Sequence, residues 1–168
     1  MRSPAGTPVG TLRHIRISNV NVYDADARFA TLFGGIPSHA IKDVRLSNIN
    51  IWYKPLDAAS AASIQADLPE DETGYPEPQK LGVGPAYGFY IRHVKNLTLS
   101  DINLHLLGSE TRPALHLHDV QGVSLWHVVA PQAGTSPQLV LRDVRDLTVQ
   151  DSAPLKSQVI GAAKAKNL

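Results

Sequence analysis

The chain has 168 residues, with 16 basic and 15 acidic side chains interspersed along it. These values predict a single domain with a sizeable core, and they exclude the strong basic bias of nucleic-acid-binding and membrane-surface proteins. No apolar run has the length of a membrane span, the first residues lack a hydrophobic signal core, and the absence of cysteine excludes disulfides and thiolate chemistry.

Residues 1–10 are rich in proline and glycine and predict an unstructured lead-in. From residue 11 to residue 154, short runs of alternating apolar residues recur, as in β-strands. Five copies begin at Ile15, Val44, Leu97, Val123 and Leu147, separated by 29, 53, 26 and 24 residues. Within the copy at 88–104, the alternation slips out of phase, which predicts a strand that bends near residues 93–96 and again at residue 101.

The same two positions in each copy carry residue types that tolerate a left-handed backbone or bond their own main chain. One precedes the anchor by one residue and the other follows it by four: His14, Asp43, Asn96, Gly122 and Asp146, then Asn19, Asn48, Asp101, His127 and Asp151. Repeats of this length with several strands and no helix predict an all-β fold, a parallel β-helix of about five coils. A β-sandwich is the alternative, but its strands need not share corner residues in register.

The first coil has no lead-in, so the strands of 12–22 would present an open edge of unpaired backbone groups. Solenoids normally carry a polar cap there. We therefore expect N-terminal coils to be missing, or a partner chain to cover this edge.

The longest break between copies, 54–87, is rich in proline, and loops of this length are often functional. A short helix is predicted at 58–66, with Tyr75 and Tyr87 in the closing half of the loop. A strand is expected near 29–33, before a glycine turn. The tail, 155–168, is expected to be a short capping helix or a frayed end.

One outward-facing column of the predicted sheet carries the residues with the clearest binding chemistry. Tyr90 with Arg92, His116 with His118, and Val140 with Arg142 stand two places apart on successive strands. Arg92, His118 and Arg142 should align, with His39 in the same column. Because arginine binds carboxylates in a bidentate manner, this stripe suits an anionic ligand. A solvated sheet face is the alternative. The candidate substrate-binding residues are therefore Tyr90, Arg92, His116, His118 and Arg142, together with Tyr87.

Other polar residues predict little chemistry. His116 and His118 share a face, but no third ligand has a fixed spacing, so neither a metal nor a cofactor is predicted. Glu70, Asp71 and Glu72 should be solvated in the loop. Trp126 should face outward, where it would stack on a sugar ring or pack under a loop.

Four segments together resemble the C-terminal region of bacterial glycoside hydrolase family 28, over about residues 11–130. They are IRISNV, FGGIPSHAIKDVRLSNINI, YPEP at 75–78 and GPAYGFYIRHVKNLTL at 84–99. The family comprises polygalacturonases and rhamnogalacturonan-type pectin hydrolases. The resemblance implies a right-handed β-helix, inverting hydrolysis of α-galacturonides by a pair of carboxyl groups, and export from the cell.

None of the family's Asn-Thr-Asp, Asp-Asp, Gly-His-Gly and Arg-Ile-Lys motifs occurs in this chain, so no catalytic residue is predicted. The strand of residues 90–93 resembles the one that bears Arg-Ile-Lys in an earlier coil. The resemblance therefore implies that the stripe continues the substrate-facing sheet. We expect a C-terminal portion of a pectin-degrading hydrolase that is not catalytic alone. The alternatives are a non-catalytic module that binds acidic polysaccharide and a structural β-helix segment that needs a partner chain.

Overall fold

The structure, a computed structural model, describes residues 6–72, 74 and 77–168. The first half of the predicted lead-in, and Tyr75 and Pro76 of the YPEP segment, lie outside the described residues. The fold is all-β, as predicted. Its strands are β1 Arg13–Ala25, β2 Thr31–Gly34, β3 Ile41–Tyr53, β4 Phe89–Leu106, β5 Leu115–Val129, β6 Leu139–Gln150 and β7 Gln158–Asn167, with two short helices, α1 Ala58–Ala61 and α2 Pro78–Leu81.

The strands form one mostly parallel sheet that does not close. The order is β1-β3-β4-β5-β6-β7, and β2 also pairs with β4. Every pair is parallel except β6 with β7. The predicted anchors occupy one continuous column across the parallel strands, which confirms the repeat alignment: Ile15, Val44, Leu97, Val123 and Leu147.

Left-handed backbone conformations bend these strands at the predicted corners. All ten predicted corner residues have φ between 47° and 72°. A third column of corners, which the repeat analysis did not identify, consists of His93, Asp119 and Asp143, with φ of 51°, 49° and 49°. Each bend turns the next part of the strand onto a new face, so apolar residues on both sides of a corner point to the same interior.

The core lies inside these bends. On β3 and β4 the apolar residues predicted to alternate inward are at most 6% exposed, since each lies between equivalent residues on both neighbouring strands. On β1, by contrast, Ile17 and Val22 are 39% and 36% exposed. Among the described residues, no strand pairs with the outer edge of β1.

Three local predictions need correction. The tail is neither helical nor frayed, because β7 pairs along the outer edge of β6. The helix predicted at 58–66 spans only Ala58–Ala61, begun by the Asp57 side chain, which accepts a hydrogen bond from the Ser60 N–H. The second helix, α2, begins with a proline at its first position, a signal that the sequence analysis did not use.

Candidate functional site

The column of polar residues exists as predicted, with one exception. Tyr90, His116 and Val140 pair in one row, and Arg92, His118 and Arg142 pair in the next. The position beside Arg92 on the other side belongs to Gly34 of β2. The placement of His39 in this column is therefore wrong. His39 instead forms an isolated bridge with Ile36.

This face is solvated only toward β6, where the Arg142 side chain is 44% exposed. Tyr90, Arg92 and His116 are 0%, 4% and 2% exposed. They are covered by residues 67–70 of the long loop, which we call the acidic strap. The anionic group on the predicted anion-binding face is thus supplied by the chain itself.

Asp67 is the first carboxylate of the acidic strap, and side chains from three strands surround it. The hydroxyl of Tyr90 donates a hydrogen bond to its Oδ1 atom. Its Oδ2 atom lies 2.9 Å from Nδ1 of His118 and 3.9 Å from Nη1 of Arg142. The His118 contact lacks hydrogen-bond geometry, so we interpret it as a contact between charged groups.

Arg92 holds the rest of the acidic strap. Its Nη1 atom donates to the carbonyl of Leu68 at 2.7 Å, and its Nη2 atom donates to the carbonyl of Pro69 at 3.0 Å. The same Nη2 atom lies 3.4 Å from Oε2 of Glu70. Arg92 is therefore engaged by two main-chain carbonyls and one carboxylate.

Glu70 also contacts a second basic group, so its side chain is only partly solvated. Its Oε1 atom lies 3.1 Å from Nε2 of His93, whose Nδ1 atom lies 2.6 Å from Oδ2 of Asp119. His93 is 8% exposed and bridges the two carboxylates. The sequence carries no signal that singles out Asp67 and Glu70 among the acidic residues of the loop.

The electrostatics favour an anion on this face. Burial raises the pKa of Asp67, but the Tyr90 hydrogen bond and the charge of His118 outweigh it, so the pKa lies below its usual value. Burial lowers the pKa of His116 to about 4, against the opposing attraction of Asp67. Among the described residues, neither ring nitrogen of His116 has a hydrogen-bond partner.

Tyr87 does not belong to the site. It is fully buried, its hydroxyl donates to the carbonyl of Pro131 at 2.6 Å, and its ring meets Tyr53 edge-on at 5.7 Å. Burial raises the pKa of Tyr87 well above its ordinary value. The side chain packs in the core, so its assignment as a substrate-binding residue is corrected.

A buried ion pair that the sequence analysis missed anchors the loops around the site. The side chains of Glu110 and Arg112 are each 2% exposed, and Oε2 of the former lies 2.6 Å from Nη2 of the latter. Arg112 also donates to the carbonyls of Ala27, Gly84 and Ala86. It thereby holds the closing half of the long loop against the turn before β2.

Aromatic side chains on another outer face form a ladder. Trp52 stacks on Tyr23 at 4.7 Å and on His105 at 4.5 Å between ring centroids. Trp126 is outward and 43% exposed, and it stacks on His127 at 4.4 Å. The use of Trp126 for sugar stacking stays a prediction.

The site can bind a carboxylate, with donors held on rigid neighbouring strands. No group of three or more His, Asp or Glu residues within the described ranges is placed to hold a metal ion. None of the described helices has the length and apolar character needed to cross a membrane.

Comparison with protein-family models, with curated proteins and with solved structures finds no match.

Proposed function

We propose that this chain forms about five coils of a right-handed parallel β-helix, and that these coils are the C-terminal, non-catalytic portion of a pectin-degrading hydrolase similar to glycoside hydrolase family 28. The parent fold would hydrolyse α-galacturonide linkages. The observation that carries the proposal is the face of β4, β5 and β6, where hydroxyl, imidazole and guanidinium groups surround carboxylates. Such a face suits the carboxylates of a polyuronate.

The bends in the strands support the β-helix. Strand β5 turns at Asp119, Gly122 and His127, and only nine residues then connect its end to the start of β6. The connection returns the chain to a position directly beside its own start, since Leu115 pairs with Leu139. The right-handed sense follows from the strong preference of parallel crossovers for that hand.

The outer edge of β1 supports continuation by further coils. Asparagine side chains form ladders across the strands: Nδ2 of Asn48 donates to Oδ1 of Asn19, and Nδ2 of Asn50 donates to Oδ1 of Asn21, each at 2.8 Å. Among the described residues, the amide nitrogens of Asn19 and Asn21 donate to no acceptor. A further coil with an asparagine or aspartate at these positions would accept both hydrogen bonds and would bury the apolar row of β1.

A reducing-sugar assay on polygalacturonate tests the proposal. The chain is assayed alone and then mixed with a separately expressed N-terminal half of a family 28 polygalacturonase. We expect hydrolysis only in the mixture, because this chain carries no catalytic motif. The N-terminal half alone is the control. Hydrolysis by this chain alone would contradict its non-catalytic role, and an inactive mixture that shows no association would contradict the continuation at β1.

A second candidate is a non-catalytic module that binds acidic polysaccharide without further coils. The same carboxylate-binding face favours it. Saturable binding of oligogalacturonate by a monomeric, isolated chain that does not associate with the N-terminal half would select this candidate.

A further inference from the structure

We propose that the acidic strap is a releasable internal ligand: its carboxylates occupy a face of β4, β5 and β6 that binds a uronate carboxylate once the strap lifts. The choice of a uronate rests on the proposed function. The release of the strap rests on the contacts of Asp67 and Glu70.

The contacts of Asp67 are those that a carboxylate ligand would make. Its partners, Tyr90, His118 and Arg142, lie on three successive strands, and none belongs to the loop that carries Asp67; Tyr90 donates a hydrogen bond, and the other two are charge contacts. Because the backbone of these partners is held in the sheet, they stay in place when the loop moves. A carboxylate from a separate molecule can then replace that of Asp67 with the same three partners.

The acidic strap leaves part of the face unsatisfied. Nε of Arg92 and both ring nitrogens of His116 are buried without a hydrogen-bond partner among the described residues. Buried polar groups in native proteins are usually paired, and an unpaired group costs free energy. A sugar acid, which carries hydroxyl groups beside its carboxylate, can supply the missing partners. The face therefore keeps polar atoms that such a ligand could pair and that the strap does not.

The attachment of the acidic strap is of a kind that opens readily. Residues 67–70 belong to no strand or helix, and each described hydrogen bond between them and the sheet has a side chain as its donor, so no backbone-to-backbone hydrogen bond is described there. The side chains of Asp67 and Glu70 remain 28% and 38% exposed, so water competes for both. Segments with few backbone hydrogen bonds open locally at a low free energy.

Competition between strap and ligand makes a specific prediction about charge. The apparent affinity for a ligand is proportional to the fraction of molecules whose site is open. Removing negative charge from the acidic strap should therefore strengthen the binding of an anion, by raising that fraction. Exposed acidic residues elsewhere should lack this specific effect.

The test measures the binding of galacturonate oligomers to the full chain by titration calorimetry. We expect Asp67→Asn/Glu70→Gln to bind about tenfold more tightly than the unchanged chain, the equivalent of one charge-assisted hydrogen bond. Asp71→Asn/Glu72→Gln is the matched control, since it makes the same change in net charge beside the strap. Because solvent and salt screen exposed charges, its affinity should stay within about twofold of that of the unchanged chain. Adding Arg92→Ala to the first variant should abolish the gain. Equal or weaker binding by the folded double variant, or an equal gain in the control, would overturn the proposal.

If the double variant does not fold, Asp67→Asn alone provides the test. It is isosteric and keeps an acceptor for the Tyr90 hydroxyl, so we expect a folded chain and a gain of several-fold. No gain in this variant overturns the release of the strap.

A sulfated oligosaccharide as a second probe separates the two proposals. If the strap variant binds the sulfated probe more tightly than the unchanged chain does, and no variant binds galacturonate, the release of the strap is supported and the pectic function is contradicted. Galacturonate binding that is equally tight in all variants would keep the function and would contradict the release. A lack of binding by either probe to any variant would contradict both.

Discussion

The hydroxyl of Tyr90, at the start of a central strand, donates a hydrogen bond to the carboxylate of Asp67, 23 residues earlier in the chain. This contact joins the long loop to the sheet face that the sequence indicates as a binding surface. Burial and the Asp67 hydrogen bond together raise the pKa of Tyr90, so the phenol stays protonated and able to donate at neutral pH.

Tyr90→Phe should loosen the acidic strap without unfolding the sheet. The substitution keeps the buried ring and removes only the donor, so we expect amide hydrogen exchange at residues 66–70 to become about tenfold faster, the equivalent of a hydrogen bond to a charged group. Exchange in β4 should change little. Tyr23→Phe is the control, because that side chain is 69% exposed. Unchanged exchange in the strap would show that other contacts hold it.

His116 should make the chain less stable as the pH falls from about 6.5 to about 4. Burial lowers its pKa to about 4, and the facing groups are Asp67, which opposes the shift, and Arg142 and His118, which add to it. In this interval the unfolded chain binds a proton at this residue and the folded chain does not, so the free energy of unfolding decreases with falling pH. The full loss is on the order of 3 kcal/mol.

Urea unfolding at a series of pH values measures this loss. The slope of the free energy of unfolding against pH reports the number of protons taken up on unfolding. Between a pH of about 4 and about 6.5, that number should be smaller in His116→Phe by up to one proton. A slope equal to that of the unchanged chain would refute the assignment to this histidine.

Arg112→Ala should be among the most destabilising single changes in the chain. It leaves the Glu110 carboxylate buried without its partner and removes the donors to three main-chain carbonyls. We expect the free energy of unfolding to decrease by about 3–5 kcal/mol. Chemical denaturation measures it. The exposed pair of Arg28 and Asp26 is the matched control, and Arg28→Ala should cost about 0–1 kcal/mol. Similar losses in both variants would contradict the role of burial.

The corner at Asp146 offers a direct test of the bent-strand geometry. Its φ is 56°, a conformation in which a Cβ atom is unfavourable and glycine is free. Asp146→Ala should lower the free energy of unfolding by about 1 kcal/mol, whereas Asp146→Gly should cost less. Thermal or urea unfolding compares the two variants. A glycine variant that is less stable than the alanine variant would contradict the left-handed backbone at this corner.

The outer edge of β1 should govern self-association of the isolated chain. Ile17 and Val22 are partly exposed beside a strand edge that no other described strand pairs with, so Ile17→Lys/Val22→Lys should reduce association, as charged residues do at natural sheet edges. Sedimentation velocity measures the association. Val159→Lys, on β7, is the control, because that side chain is 77% exposed at the opposite end of the sheet. An equal effect of both changes would point to general hydrophobicity.

The repeat pattern by itself determined the register of the parallel strands and ten of their corners. This is because stacking places equivalent residues in one column, and because few residue types accept a positive φ. The repeat pattern did not identify the third corner column of His93, Asp119 and Asp143, because the equivalent positions of the first two copies carry Thr11 and Ala40. The tail was also misread, because its alanines and lysines do not show which strand edge remains free for β7.

Only the tertiary structure shows that a loop covers the candidate site. The sequence placed Tyr90, Arg92, His116, His118 and Arg142 on one face, since alternation along a strand and register between strands are both local properties. It did not predict that Asp67 and Glu70 cover that face, because the path of a long loop depends on contacts between residues distant in the chain. For the same reason Tyr87, at the end of that loop, was assigned to the surface although it packs in the core.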